Sequence, residues 1–268
     1  MYLPIKREWV AFIFQNFSLY LLTERRKEPK LEFLLHIPPD FDTIDSLTGF
    51  AFERNESHTM NAYDFDETIF YPDCSILFAR WCAKKHPKLW FTYFPKVMKS
   101  LLLYKMNKLP RYKLERTFFS FLNQLDDFDE QIEAFWDANE NRISKWYLAQ
   151  KRPDDLIISA SPACIIGPIA KRLGVNFVAT EYDREYNVFV DNLMYAKEKA
   201  KYILDHDFPV IENFYSDSLA DTPIALLAEH AHIVTNKAQT VEDWPKLDVE
   251  TLKTVRRKID TGWVIHLD

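Results

Sequence analysis

Between Asp155 and Thr235 short apolar runs alternate with helical segments, and few folds tolerate that rhythm. Leu156-Ile157-Ile158 reads as a buried strand ending at Ser159, Pro162 to Leu173 as a helix stopped by Gly174, and Val175 to Thr180 as the next strand. Tyr186 to Val190 has the look of half a small hairpin, and Glu198 to Leu204 that of a helix. Ile211 to Tyr215 then reads as a strand ending at Asp217, Leu219 to Glu229 as a helix and His232 to Thr235 as a last strand. Strands apolar along their whole length need cover on both faces, which crossover helices supply. The pattern predicts an α/β fold built on a parallel sheet.

One more strand lies far upstream, where Asn61-Ala62-Tyr63 runs into Asp64-Phe65-Asp66-Glu67-Thr68. About seventy residues of helical character separate it from the rest, carried by Ile76, Leu77 and Trp81, then Val97 to Leu103, Phe118 to Leu125, Ile132 to Trp136 and Ile143 to Tyr147. The expected organisation is a core of residues 60–73 and 151–240, a helical insertion at 74–150, an N-terminal segment at 1–59 and a tail at 241–268. Residues 1–59 show no strand-helix alternation. They are expected to be either an upstream extension, with Met60 as the natural start, or an accessory piece docking through Trp9, Phe12, Phe14 and Phe17.

Composition narrows the functions open to such a chain. At 268 residues and 47% hydrophobic content it can bury one sizeable core. A net charge of −6 argues against a protein whose main partner is a nucleic-acid backbone, since that affinity needs a predominance of Lys and Arg. With 4 glycines, neither the dinucleotide fingerprint nor the Walker loop can be written anywhere in the chain. Cys74, Cys82 and Cys164 are too few and too irregular for a disulfide framework or a zinc cage. Trp9 to Leu22 is polar-interrupted and shorter than the ~20 residues of a spanning helix, and no small-residue cleavage site follows it. A cytoplasmic protein is the expectation, and small phosphorylated substrates remain open.

The aspartate run is where chemistry concentrates. Two carboxylates two residues apart, just past a strand, lie at the end of the sheet where open α/β folds bind ligands. Asp64 and Asp66 could equally be loop or capping residues, since aspartate is favoured at both. Three more elements follow in order. Ser159 stands between a strand and a helix N-terminus, a ready anion site. The stretch Ala196-Lys197-Glu198-Lys199-Ala200-Lys201 offers a lysine to neutralise a phosphoryl group, either Lys197 or Lys199. Tyr215-Ser216-Asp217-Ser218-Leu219-Ala220-Asp221 places two carboxylates where a strand meets a helix, and one of them with Asp64 would suit Mg²⁺, which takes hard oxygen ligands and keeps several waters.

In this order the four elements resemble the haloacid dehalogenase-like superfamily over residues 60 to 240. The resemblance implies a Rossmann-like parallel core with an inserted α-helical cap. It implies Asp64 as nucleophile, Asp66 as general acid/base with its carbonyl on Mg²⁺, and Asp217 as the other carboxylate ligand. Ser159 and a lysine would bind phosphate, and Thr68 and Asp221 would support the site. The pattern E-K-x-x-x-[IL] selects Lys199 over Lys197. Dehalogenases of the superfamily lack the second aspartate, so Asp66 favours phosphate chemistry. The helical insertion is similar to the small cap of the phosphoserine-phosphatase-like branch, whose serine motif continues with two glycines where this chain has Ala160-Ser161. Relatives with this cap place an acidic residue near Asp73, which could touch the substrate or simply cap the helix after it. The aromatic insertion leaves a lipid phosphate open as substrate. A magnesium-dependent phosphatase is the leading expectation; a phosphotransferase using the same residues and a catalytically idle interaction module are the alternatives.

Overall fold

A computed structural model describes residues 59–260. Expectations that fall on residues 1–58 and 261–268 lie outside the described residues. Strand β1 (Thr59–Tyr63) is followed by β2 (Leu156–Pro162), β3 (Asn176–Thr180), the separate two-stranded pair β4 (Tyr182–Asp183) and β5 (Val188–Phe189), then β6 (Val210–Ser216), β7 (His230–Thr235) and β8 (Thr240–Asp243), and the main sheet has the order β3-β2-β1-β6-β7-β8. All neighbours are parallel except β7 and β8. The chain leaves β1 towards β2 on one side and returns beside it as β6 on the other. A crevice therefore opens at the C-terminal end of β1, between its two neighbours.

Alternation along the strands feeds two cores. Met60, Ala62, Leu156, Ile158, Ile211 and Phe214 face one way, while Tyr63, Ile157 and Tyr215 face the other among aromatic side chains. Tyr63 stacks on Tyr215 at 4.8 Å between ring centroids, and Tyr215 stacks on His232 at 4.7 Å, so the rings tie β1, β6 and β7 across one face. Helix Ala163–Leu173 ends at Gly174, whose φ of +68° is the left-handed conformation that favours glycine at a helix end. Within that helix a Cβ on Gly167 would meet the Phe177 ring at 3.1 Å, so glycine lets helix and β3 approach closely.

The segment between β1 and β2 holds helices and no strand: α1 (Cys74–Lys85), α2 (Leu89–Thr92), α3 (Phe94–Lys105), α4 (Arg111–Phe119), α5 (Phe128–Asn139) and α6 (Lys145–Gln150). Asp73 caps α1 by accepting the Ile76 N–H at 2.9 Å, and Lys84 and Lys85 complement the dipole at its other end. Trp136 on α5 anchors the insertion to the core through its indole N–H, donated to the Ile165 carbonyl at 3.0 Å.

Two expectations are corrected. The long helix over Leu219–Glu229 is a 3₁₀ turn, Leu219–Asp221, and a single helical turn, Thr222–Ala225. The physical reason is topological: the chain must re-enter the sheet at His230, opposite Asn213, and the Glu229 N–H already bonds the Ile211 carbonyl at 2.9 Å. The stretch after residue 240 is no loose tail. It supplies β8, reached through Asn236, Lys237 and Ala238, all at positive φ, and a helix, Val249–Asp260, with Leu252 and Val255 buried. The small hairpin expected to have one half within Tyr186–Val190 is present, pairing Tyr182–Asp183 with Val188–Phe189.

Candidate active site

The crevice at the end of β1 is lined from four segments. Asp64 continues β1, its N–H bonded to the Tyr215 carbonyl at 2.8 Å, so the end of β6 fixes where its side chain starts. The chain then turns tightly through Glu67, at φ +59°, and three successive amides, Thr68 to Phe70, point at the Phe65 carbonyl. Thr68, fully buried, donates its hydroxyl to Asp64 Oδ2 at 3.4 Å and accepts the Asp217 N–H at 2.9 Å. One hydroxyl thus ties the loop after β1 to the loop after β6.

Lys199 is the central cation. It is 2% exposed, and its Nζ lies 2.6 Å from Asp64 Oδ1 and 2.7 Å from Asp221 Oδ2. Burial alone would weaken the ammonium, but Asp221 and Asp64 outweigh it and hold the group above its ordinary range. Asp221 is fixed further by the Ser216 hydroxyl at 2.9 Å. Lys197, at the start of the same helix (Lys197–Asp205), is half-buried and makes neither contact. Ala196, Ala200 and Ile203 stand three or four residues from one another on the inward helix face that Lys199 shares.

Asp66 points elsewhere. Its Oδ1 accepts the Cys74 N–H at 2.6 Å and its Oδ2 the Ser161 hydroxyl at 2.6 Å. Ser161 lies 2.9 Å from the Ser75 hydroxyl, and with its own proton given to Asp66 it takes that of Ser75. Burial first, and the neighbouring charge of Asp73 second, push the Asp66 carboxyl up to about 8 against the pull of these hydrogen bonds. The two aspartates of the run thus occupy unlike environments, one against an ammonium and one among hydroxyl and amide donors. Ser161 and Ser75 were not singled out from the sequence. Their roles depend on contacts across 86 and 95 positions, which no local pattern announces.

Ser159, 1% exposed, accepts the Ser161 N–H at 3.1 Å at the end of β2. Asp217 is pushed up to about 8, by burial first and then by Asp64 and Asp221. Three carboxylates, Asp64, Asp217 and Asp221, share one buried ammonium, which leaves an excess of negative charge. Among the described residues no cluster of three or more His, Cys, Asp or Glu side chains is arranged to hold a metal. A hard dication that needs only one or two carboxylates and keeps its own waters fits this donor set, and Mg²⁺ is such an ion. Asp73 spends one carboxylate oxygen on capping α1.

The model of the haloacid dehalogenase-like hydrolases matches residues 62–226, from β1 to just past Asp221. The chain belongs to this hydrolase family. Among solved structures, a protein of unknown function from Bordetella pertussis Tohama I is similar at a TM-score of 0.53 and 16% identity, over 65% of this chain and 88% of that one. It shares the fold. A phosphoserine phosphohydrolase-like protein from Francisella tularensis subsp. tularensis SCHU S4 is matched at a TM-score of 0.41 and 14% identity, over 66% of this chain and 88% of that one. No curated protein matches.

Proposed function

We propose that this hydrolase is a magnesium-dependent phosphatase that cleaves a phosphomonoester through an aspartyl phosphate on Asp64. The observation that carries the reading is the division of labour between the two aspartates: Asp64 faces Lys199, and Asp66 faces Ser161 and the Cys74 N–H. The Lys199 ammonium and the Thr68 hydroxyl fix the position of the attacking carboxylate. An Asp64 oxygen attacks phosphorus and the ester oxygen departs, taking a proton from Asp66. Water then attacks the phosphorus of the acyl phosphate, gives its proton to Asp66, and releases inorganic phosphate and free Asp64.

Lys199 and the Ser159 hydroxyl offset charge on the phosphoryl oxygens, and Thr68 keeps Asp64 and Asp217 in register. Asp64, Asp217 and the Asp66 carbonyl would hold Mg²⁺, which supplies electrostatic stabilisation of the transferring group when bound. Asp221 keeps Lys199 in place. The helices of 74–150 act as a cap over this centre, with residues 60–73 and 151–240 as the catalytic core. Asp66 separates the reading from the dehalogenase branch.

The test is a panel of phosphorylated metabolites assayed with Mg²⁺, with chelator, and with Asp64→Asn. Turnover that requires Mg²⁺ and falls by at least about 10⁴-fold in the variant is expected. Release of phosphate by Asp64→Asn at the wild-type rate would sink the mechanism. Transfer of the phosphoryl group to added alcohols in preference to water would redefine the chain as a phosphotransferase.

A further inference from the structure

The helical insertion has a surface that the chemistry at the sheet does not use. From Cys74 to Leu114 the sequence contains ten Lys and Arg and no Asp or Glu, in a chain whose net charge is −6. Helix α3 adds a second anomaly. Its inward face is occupied by Val97, Leu101 and Tyr104, yet its outward face is also apolar: Met98 and Leu102 are 62% and 60% exposed, and Met106 follows one turn later at the helix end. Spaced four apart, they form a stripe, flanked by exposed Lys99 and Lys105. Beside them, α2 presents Phe91 at 83% exposure and Trp90 at 54%, next to exposed Lys84, Lys85 and Lys88.

Single exposed apolar residues are ordinary, whereas large ones gathered on consecutive helices and ringed by lysines are not. We propose that the outward face of α2 and α3 docks on the surface of an anionic bilayer. The chemistry selects that occupant. Aromatic and long aliphatic side chains enter the acyl boundary while lysines meet lipid phosphates, the division that interfacial helices use. A nucleic-acid strand would pair with the lysines but leave the Met98–Leu102–Met106 stripe in water. No helix among the described residues is long and apolar enough to cross a membrane, so the contact is peripheral. A cleft lined by Lys96, Lys113, Arg116 and Asn187 opens behind this face, and α4 carries Arg111 onto the Tyr195 ring at 4.9 Å.

The experiment is sedimentation of the full chain with vesicles of phosphatidylcholine alone or with about one-third phosphatidylglycerol. Two multiple variants accompany the wild type: Phe91→Ser with Met98→Ser and Leu102→Ser, and Lys88→Glu with Lys99→Glu and Lys105→Glu. Both sets lie on an exposed surface, and circular dichroism checks that they fold. Wild type is expected to bind only the anionic vesicles and to be released by salt. Each lysine reversal should weaken binding about fivefold or more, and the apolar set should abolish it. Equal binding to neutral vesicles, or variants that bind like wild type, would overturn the proposal. So would variants that dissolve a self-association or an RNA complex while vesicle binding stays intact, because the face would then belong to a second copy or to nucleic acid.

Discussion

The sheet end and the helical insertion solve opposite electrostatic problems within one chain. At the sheet end carboxylates outnumber cations, and the one lysine present is buried between two of them. From Cys74 to Leu114 in the insertion no carboxylate interrupts the cations, and its lysines are exposed. A buried charge must be matched by a partner, so every group around Lys199 has a fixed place. An exposed charge needs none, so Lys88 before α2 and the lysines of α3 can serve whatever approaches from outside. The difference teaches where substitutions should hurt: at the sheet end through chemistry and folding together, in the insertion through association alone.

After loss of the nucleophile itself, Asp66→Asn should break the sheet end hardest among the variants that keep its fold. It preserves the shape and removes the transferable proton, so kcat is expected to fall by about 10²–10⁴-fold. The loss should depend on the leaving group. An alkyl phosphate needs its departing oxygen protonated and a nitrophenyl phosphate does not, so the two substrates assayed side by side should differ by at least tenfold in their sensitivity. Equal losses would remove Asp66 from the role of acid.

Lys199→Ala sharpens the contrast on the stability side. It leaves Asp64 and Asp221 facing one another without their shared ammonium, and a buried pair broken on one side costs about 3–5 kcal/mol. Urea unfolding measures it. Adding Asp221→Ala to the same chain should recover part of the loss, because one of the two stranded charges is gone. A double variant less stable than Lys199→Ala would mean that the Ser216 bond to Asp221 is worth more than the relief of the stranded charge.

How much of this was legible in advance follows the same division. Asp64, Asp66, Asp217 and Asp221 stood out because each lies where a strand gives way to a loop or helix, a local event with a local signature. The alternation of Met60 and Ala62 with Tyr63 already implied a strand buried on both faces. The connection after Asp217 was misjudged as a long helix because Leu219 to Glu229 is apolar enough for one, while sheet topology allows only two short turns. The final strand and helix were overlooked because Thr240–Asp243 is four largely exposed residues with no apolar run to betray them. Ser161 was invisible for another reason: it gains meaning only when the loop after β1, the start of α1 and the end of β2 meet.

Ser161→Ala tests that convergence, with a smaller effect. It removes the hydroxyl donated to Asp66 Oδ2 and strands the Ser75 hydroxyl, while the Cys74 N–H still holds Oδ1. The cost of one such bond to a carboxyl is about 1.5–3 kcal/mol, so kcat should drop roughly tenfold or somewhat more. Because the serine acts through Asp66, the drop should shrink on nitrophenyl phosphate as the Asp66→Asn effect does. A uniform drop on both substrates, with an equal loss in urea stability, would reduce Ser161 to a packing role.

Lys99→Ala completes the comparison at its quiet end. The side chain is exposed on α3, its neighbours Met98 and Leu102 are exposed as well, and alanine is the better helix former. Stability should therefore move by no more than about 0.5 kcal/mol, against the several lost at Lys199, although the two substitutions remove the same ammonium from the same chain. Paired urea titrations of the two variants make the test. A Lys99→Ala loss approaching that of Lys199→Ala would mean that the insertion's charges are structural after all, and that its outward face is already matched within the folded chain.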